Sequence, residues 1–308
     1  MSKFLLPIAL VILLGLAVIP AVAQQTGTPT PTPIPRPAPT RTATDGRSGL
    51  LLYFGALPQG STGVVQIDGE GLESARLRFL SRLVDFYPAD GGLYALVPIG
   101  LDVTPRQYPL TVSLLYADGS RTTIDTTVEV TLGGFARQAF DVAPDRAYLT
   151  APEIERNEYA RLQSIFVNAT RSRLWDGRGF QVPLSSEITS PFGSFRTLNQ
   201  NTQTRHTGWD FRAAVGTPIQ ASARGEVAYA GPLDIRGNVV VVDHGFGVFS
   251  AYAHFSEIHV TAGQTVEHGQ IIGMSGNTGR SNGPHLHWEI NVNGEWVDSL
   301  AFTEMWLP

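Results

Sequence analysis

Apolar residues recur at every second position along one stretch of the chain: Tyr108, Leu110, Val112, Leu114 and Tyr116 fall on a single face of an extended backbone. After Asp118-Gly119 the pattern resumes at Ile124, Val128, Val130 and Leu132. A period of two marks a strand with one buried face, and Asp-Gly between two such runs signals a hairpin. The same texture across residues 48–143 predicts an immunoglobulin-like β-sandwich. That stretch contains no histidine, so it reads as a spacer or binding module.

The period then lengthens. In LTAPEIERNEYARLQSIFVNATRSRLW, Ile154, Tyr159, Leu162, Ile165, Phe166 and Ala169 recur at helical intervals. Thr150 and Glu153 have capping-box spacing and Pro152 sits in the first turn, where its missing N–H costs nothing. These signals predict a helix from about Ala151 to Leu174, within a connector spanning 144–179. From 180 to 308 short β-branched runs return between glycines, with no room for a helix of three turns. The chain as a whole is therefore expected to be mainly β, with one connecting helix.

Lys3, the apolar run from Phe4 to Val22 and the small-x-small triplet Ala21-Val22-Ala23 predict a signal peptide over 1–23. An uncleaved anchor helix is the alternative, and only then would the chain engage a membrane. Residues 24–47 alternate proline with threonine, a tether favouring polyproline II at about 3 Å per residue. An exported protein is expected: extracellular, wall-associated or periplasmic. It has no cysteine, so neither a lipidated cysteine nor a disulfide is available.

Charge narrows the partners. The formal net charge is -5 and the 22 lysines and arginines are scattered, which argues against nucleic-acid binding. Nothing in the pattern specifies an oligomeric state. All 7 histidines lie in the third unit, 180–308, and the chemistry is expected there.

Three clusters stand out. In RHTGWD, His206 and Asp210 would lie ~13 Å apart on a straight strand, so sharing an ion requires a bend, and Gly208 occupies the middle position. In GPHLHWEI, residues two apart share a face, so His285 and His287 project together with Glu289 beyond, while Leu286, Trp288 and Ile290 face the core. Two adjacent buried imidazoles are costly unless a metal or a proton-transfer task resolves the conflict. In VFSAYAHF, Tyr252 and His254 share a parity and could both donate to an oxyanion. His244, His259 and His268 look like turn or solvated positions. Two imidazoles and a carboxylate make a three-ligand zinc site with an open fourth position; spacing alone does not say which imidazoles.

These motifs resemble the lysostaphin-type, LytM-like, zinc metallopeptidases of bacterial cell walls. HTGWD matches H-x-G-x-D, GTPIQASARGEV matches G-T-P-[IV]-x-A-x-x-x-G-x-V, and YAH, VEHGQIIG and GPHLHWE match three further motifs in order. The likeness runs through about residues 180–300. Phe255 replaces a more usual leucine, and Trp209 is bulkier than common. The resemblance implies a C-terminal antiparallel β-sheet metallopeptidase domain over 180–308 with one Zn2+ per chain. It implies His206, Asp210 and His287 as metal ligands and His254 and His285 as catalytic histidines. It further implies hydrolysis of peptidoglycan stem or cross-bridge peptides by zinc-activated water. The alternative is a non-catalytic wall-binding regulator of other hydrolases, as in relatives that have lost ligands.

Overall fold

The computed structural model describes residues 34–308; the expected signal segment and tether residues 24–33 lie outside the described residues. Among the described residues no helix is long and apolar enough to cross a membrane.

The alternating runs form two packed sheets. One orders strands Arg41–Thr44, Ser48–Leu52, Thr62–Gly69, Gly92–Pro98 and Tyr87–Ala89; the other orders Leu57–Pro58, Arg121–Thr131, Gln107–Tyr116, Leu72–Phe79 and Arg82–Asp85. Across the predicted hairpin Val112 pairs with Ile124 and Tyr108 with Val128, and Leu110, Val112, Leu114, Ile124, Val128 and Val130 share one core with Leu50, Val65 and Val97 of the facing sheet. The sandwich starts earlier than composition suggests. Arg41–Thr44 pairs with Gly49–Leu52 inside the Pro/Thr-rich segment, because prolines stop at Pro39 and the Arg-Thr-Ala-Thr run beyond it can donate every N–H to a ladder.

The end of the expected sandwich pairs elsewhere. Arg137–Phe140 pairs in parallel with Phe195–Leu198, which pairs with Thr202–Arg205, so residues from the expected sandwich complete a small sheet of the C-terminal unit. The connecting helix spans Pro152–Phe166 and stops short of Leu174. The chain beyond it is pinned to the end of a strand instead, with Thr170 N donating to Asp243 and Leu174 N to the His244 carbonyl. Pro152 opens the helix as expected, but the capping box is not formed. Ala151 is the cap, and the Thr150 hydroxyl donates to the Ala147 carbonyl within the preceding 3-10 turn.

The C-terminal unit is an antiparallel sheet ordered Ile188–Ser190, Trp209–Arg212, His285–Val292, Val248–Ile258, Gly237–Gly245, Gly225–Leu233 and Thr265–Val266. Both faces are covered. Leu286, Trp288, Ile290 and Tyr252 fill one side with Phe246 and Ile272. On the other, helix residues Leu162 and Phe166 pack on Val239, Val241, Phe249 and Ala251. Ridges this apolar on two sides explain why these strands read as near-continuous hydrophobic runs.

Candidate metal centre

Register brings the first two side chains together. Asp210 pairs with His287 across adjacent antiparallel strands, so the two project on the same side, and His287 Nδ1 lies 2.7 Å from Asp210 Oδ1. His206 precedes the Asp210 strand and its Nε2 comes within 3.0 Å of both Asp210 Oδ1 and His287 Nδ1. The required bend is at Gly208, against the neighbouring strand. A Cβ there would meet Glu289 Cγ at 2.8 Å and the Trp288 carbonyl carbon at 2.9 Å, and the Trp288 carbonyl oxygen closer still. Only glycine lets this backbone lie so near.

Each of the three residues has its other polar atom tied to protein. His206 Nδ1 donates to the Pro191 carbonyl at 2.8 Å. His287 Nε2 lies 3.0 Å from Glu289 Oε1. Asp210 Oδ2 accepts from Arg196 Nη2 at 2.6 Å. What remains is Nε2, Nδ1 and Oδ1, three lone-pair atoms facing one another in a buried pocket. Tetrahedral ligation with bonds of about 2.0–2.1 Å separates ligand atoms by about 3.3 Å, so small outward movements would accommodate an ion. A nitrogen-rich donor set with one carboxylate, each ligand oriented from behind, suits zinc.

Burial shapes the electrostatics. It pushes the His206 imidazole down to about 4, with Asp210 only partly offsetting it. Burial alone would raise the Asp210 carboxyl, but His206 and His287 outweigh it and hold it well below the usual range. Burial likewise lowers His287, and here Glu289 and Asp210 prevail, leaving its pKa raised.

His254 and His285 stand beside these three. His285 Nδ1 donates to the Gly283 carbonyl at 2.8 Å, which leaves Nε2 facing Asp210 Oδ1 at 3.6 Å. His254 Nδ1 donates to the Thr278 carbonyl at 2.7 Å, and its ring centroid is 4.6 Å from that of His285. Burial lowers the pKa of both. All five expected residues are therefore brought together.

The expected pairing of His254 with Tyr252 is overturned. Tyr252 aligns with Trp288 and Ala253 with His287, so an unbroken strand would send His254 to the core with Tyr252. A bulge intervenes: Val240 pairs with Tyr252 and Asn238 with Phe255, and His254 has φ 63. The extra residue in the left-handed region turns the imidazole to the opposite face. Tyr252 Oη instead accepts from Ser222 N at 2.7 Å and sits 2.8 Å from Ser250 Oγ. His244 also departs from expectation. It is fully buried within Gly237–Gly245, bonded to the Arg224 carbonyl and Ser250 Oγ, and burial pushes it down to about 4.

Two cavities flank the centre. One, about 560 Å³, is bounded by His206, His287 and sandwich residues Leu101 to Val103; the other, about 480 Å³, by Asp210 and His285. Phe140, Arg196, His254 and Arg280 border both. Sequence reasoning alone misses Arg196 and the buried Glu289 as partners of the centre. For Glu289 a signal existed, since it shares the face of His285 and His287; for Arg196, distant in the chain from Asp210, there was none.

Residues 204–299 match the family described as Peptidase family M23. The peptidoglycan DD-endopeptidase ShyA of Vibrio cholerae is 45% identical over 95 residues, 31% of this chain and 22% of that protein. A crystal structure of a peptidase M23 from Pseudomonas aeruginosa is 29% identical at TM-score 0.60, covering 80% of this chain and 95% of that one. The catalytic domain of the antimicrobial peptidase lysostaphin from Staphylococcus simulans is 31% identical at TM-score 0.36, over 39% of this chain and 93% of its own. The chain spans about a quarter of the length of the curated relatives it matches.

Proposed function

The chain belongs to peptidase family M23, and from that premise we propose that it is an exported, zinc-dependent endopeptidase that hydrolyses peptide cross-links of peptidoglycan. The observation that carries this reading is the convergence of His206, Asp210 and His287 within 2.7–3.0 Å, with two further imidazoles alongside. His206, Asp210 and His287 hold one zinc per chain. When bound, zinc supplies a Lewis acid and lowers the pKa of a coordinated water to about 7.

The chain's own groups do the rest. His285 and His254 each spend Nδ1–H on a backbone carbonyl, and burial keeps both neutral, so each Nε2 is an acceptor at neutral pH. One Nε2 takes a proton from the attacking water and returns it to the leaving amine nitrogen, as a general base and then a general acid. The other, also neutral with its Nε2 lone pair free, accepts from the same water and orients it for attack. The two cavities leave room for peptide on either side of the centre. Export rests on the first 23 residues, and the wall as substrate on the name of the Vibrio relative.

The test is release of peptides from purified cell walls by the full chain. Release that stops with chelator, resumes with zinc and is absent in His285→Ala supports the proposal. A wild-type chain that holds zinc and releases nothing contradicts it and favours the wall-binding regulator.

A further inference from the structure

Behind His287 a chain of charged groups runs out of the metallopeptidase domain altogether. His287 Nε2 lies 3.0 Å from Glu289 Oε1. Glu289, fully buried, accepts from Arg236 Nε at 2.8 Å and Nη2 at 2.5 Å. Arg236 in turn donates from Nη1 to Glu158 Oε1 at 2.8 Å. Glu158 stands on the connecting helix, outside the residues that match the family, and its side chain is 1% exposed.

Glu158 does more than pair with one guanidinium. Its other oxygen accepts from Ile235 N at 2.5 Å, and Oε1 also accepts from Arg236 N at 3.2 Å. The Arg236 carbonyl receives His254 N at 2.8 Å. One carboxylate on the helix thus fixes the turn that holds Glu289 on one side and His254 on the other. The sequence carries a trace of this: Glu158 lies midway between Ile154 and Leu162, a charge within the helix's apolar stripe.

We propose that Glu158 is a positioning residue for the metal centre, coupling the docked connecting helix to His287 through Arg236 and Glu289. The proposal rests on the reading of His287 as a metal ligand. Two carboxylates share the single cation, so the row carries one net negative charge toward the imidazole, which raises the basicity of the ligand nitrogen. Without Glu158, Arg236 is drawn wholly onto Glu289, and the Ile235 and Arg236 amides lose their acceptor. The imidazole then faces a neutralised partner on a looser turn. Helix undocking would have the same effect, making zinc affinity sensitive to the connector.

The experiment compares zinc affinity by chelator competition in full-length wild type, Glu158→Gln and Glu153→Gln, the last a control on the exposed side of the same helix. Removal of an outer partner of a ligand costs about 10–100-fold in metal affinity, so E158Q is expected to bind that much more weakly than both others. Coupling is reciprocal. Zinc should therefore slow amide hydrogen exchange across 152–166 in the wild type, a readout that needs no variant to fold. Equal affinities in E158Q and wild type, or helix exchange unmoved by zinc, would overturn the coupling while leaving the metal reading intact. A wild type that takes up no zinc would overturn the metal reading and this inference with it.

Discussion

Replacing Gly208 with alanine tests whether the centre depends on one close backbone approach. The added methyl would lie 2.8 Å from Glu289 Cγ and 2.9 Å from the Trp288 carbonyl carbon, and nearer still to its oxygen. Ordinary carbon contacts are about 3.5–4.0 Å, so the segment joining His206 to Asp210 must retreat by roughly 1 Å. Neither neighbour gives easily, because Trp288 is fully buried and Glu289 is held by Arg236. Overpacking of this kind costs about 1–3 kcal/mol. The effect on the metal should be larger in proportion, since ligand distances hold only to within about 0.2 Å. Denaturant unfolding in chelator would give the stability loss, and competition with a chromogenic chelator the zinc affinity. We expect a folded protein, more than tenfold weaker for zinc and about 10²-fold slower. A Gly208→Ala chain with wild-type zinc affinity would refute the reasoning.

Two further outcomes follow from buried charge. Arg196→Met removes the cation from Asp210 Oδ2, where the guanidinium side chain is 16% exposed; breaking a buried pair costs about 3–5 kcal/mol, and the loss should shrink in saturating zinc because the ion then balances the carboxylate. Unfolding curves with and without chelator measure the difference, and equal losses would contradict it. His244 has a folded pKa pushed down to about 4 against about 6.5 unfolded. The unfolded chain therefore takes up the proton first as pH falls, and stability present above about pH 6.5 is lost toward pH 4, to the extent of about 3 kcal/mol. Wild type should lose that much more than His244→Gln between pH 7 and 4 in urea titrations; parallel losses would show that His244 is not the group responsible.

What was legible in the sequence followed local geometry. Period two places His285 and His287 on one face with Leu286, Trp288 and Ile290 opposite, and the ~13 Å span of a straight strand requires the bend found at Gly208. The hairpin at Asp118-Gly119 and the helix start at Pro152 were equally local. Parity fails where a bulge intervenes: nothing in AYAH marks the left-handed His254, so period two alone puts Tyr252 on the same face as His254. The burial of His244 is not legible locally because the polar partners that permit it, Ser250 and the Arg224 carbonyl, are specified by the fold. The helix end depended on Asp243 and His244, over 70 residues away. Arg196 and Arg236 belong to the same class, since their roles come from partners distant in the chain.

The central claim is that the two histidines of HLH do different work, His287 holding the ion with His206 and Asp210 while His285 moves a proton. Zinc stoichiometry and turnover, measured side by side on folded wild type, His206→Ala and His285→Ala, test it most directly. About one zinc is expected in wild type, none in His206→Ala, and near-stoichiometric zinc without turnover in His285→Ala. Equal zinc loss in the two variants, or a wild type that binds none, would contradict it.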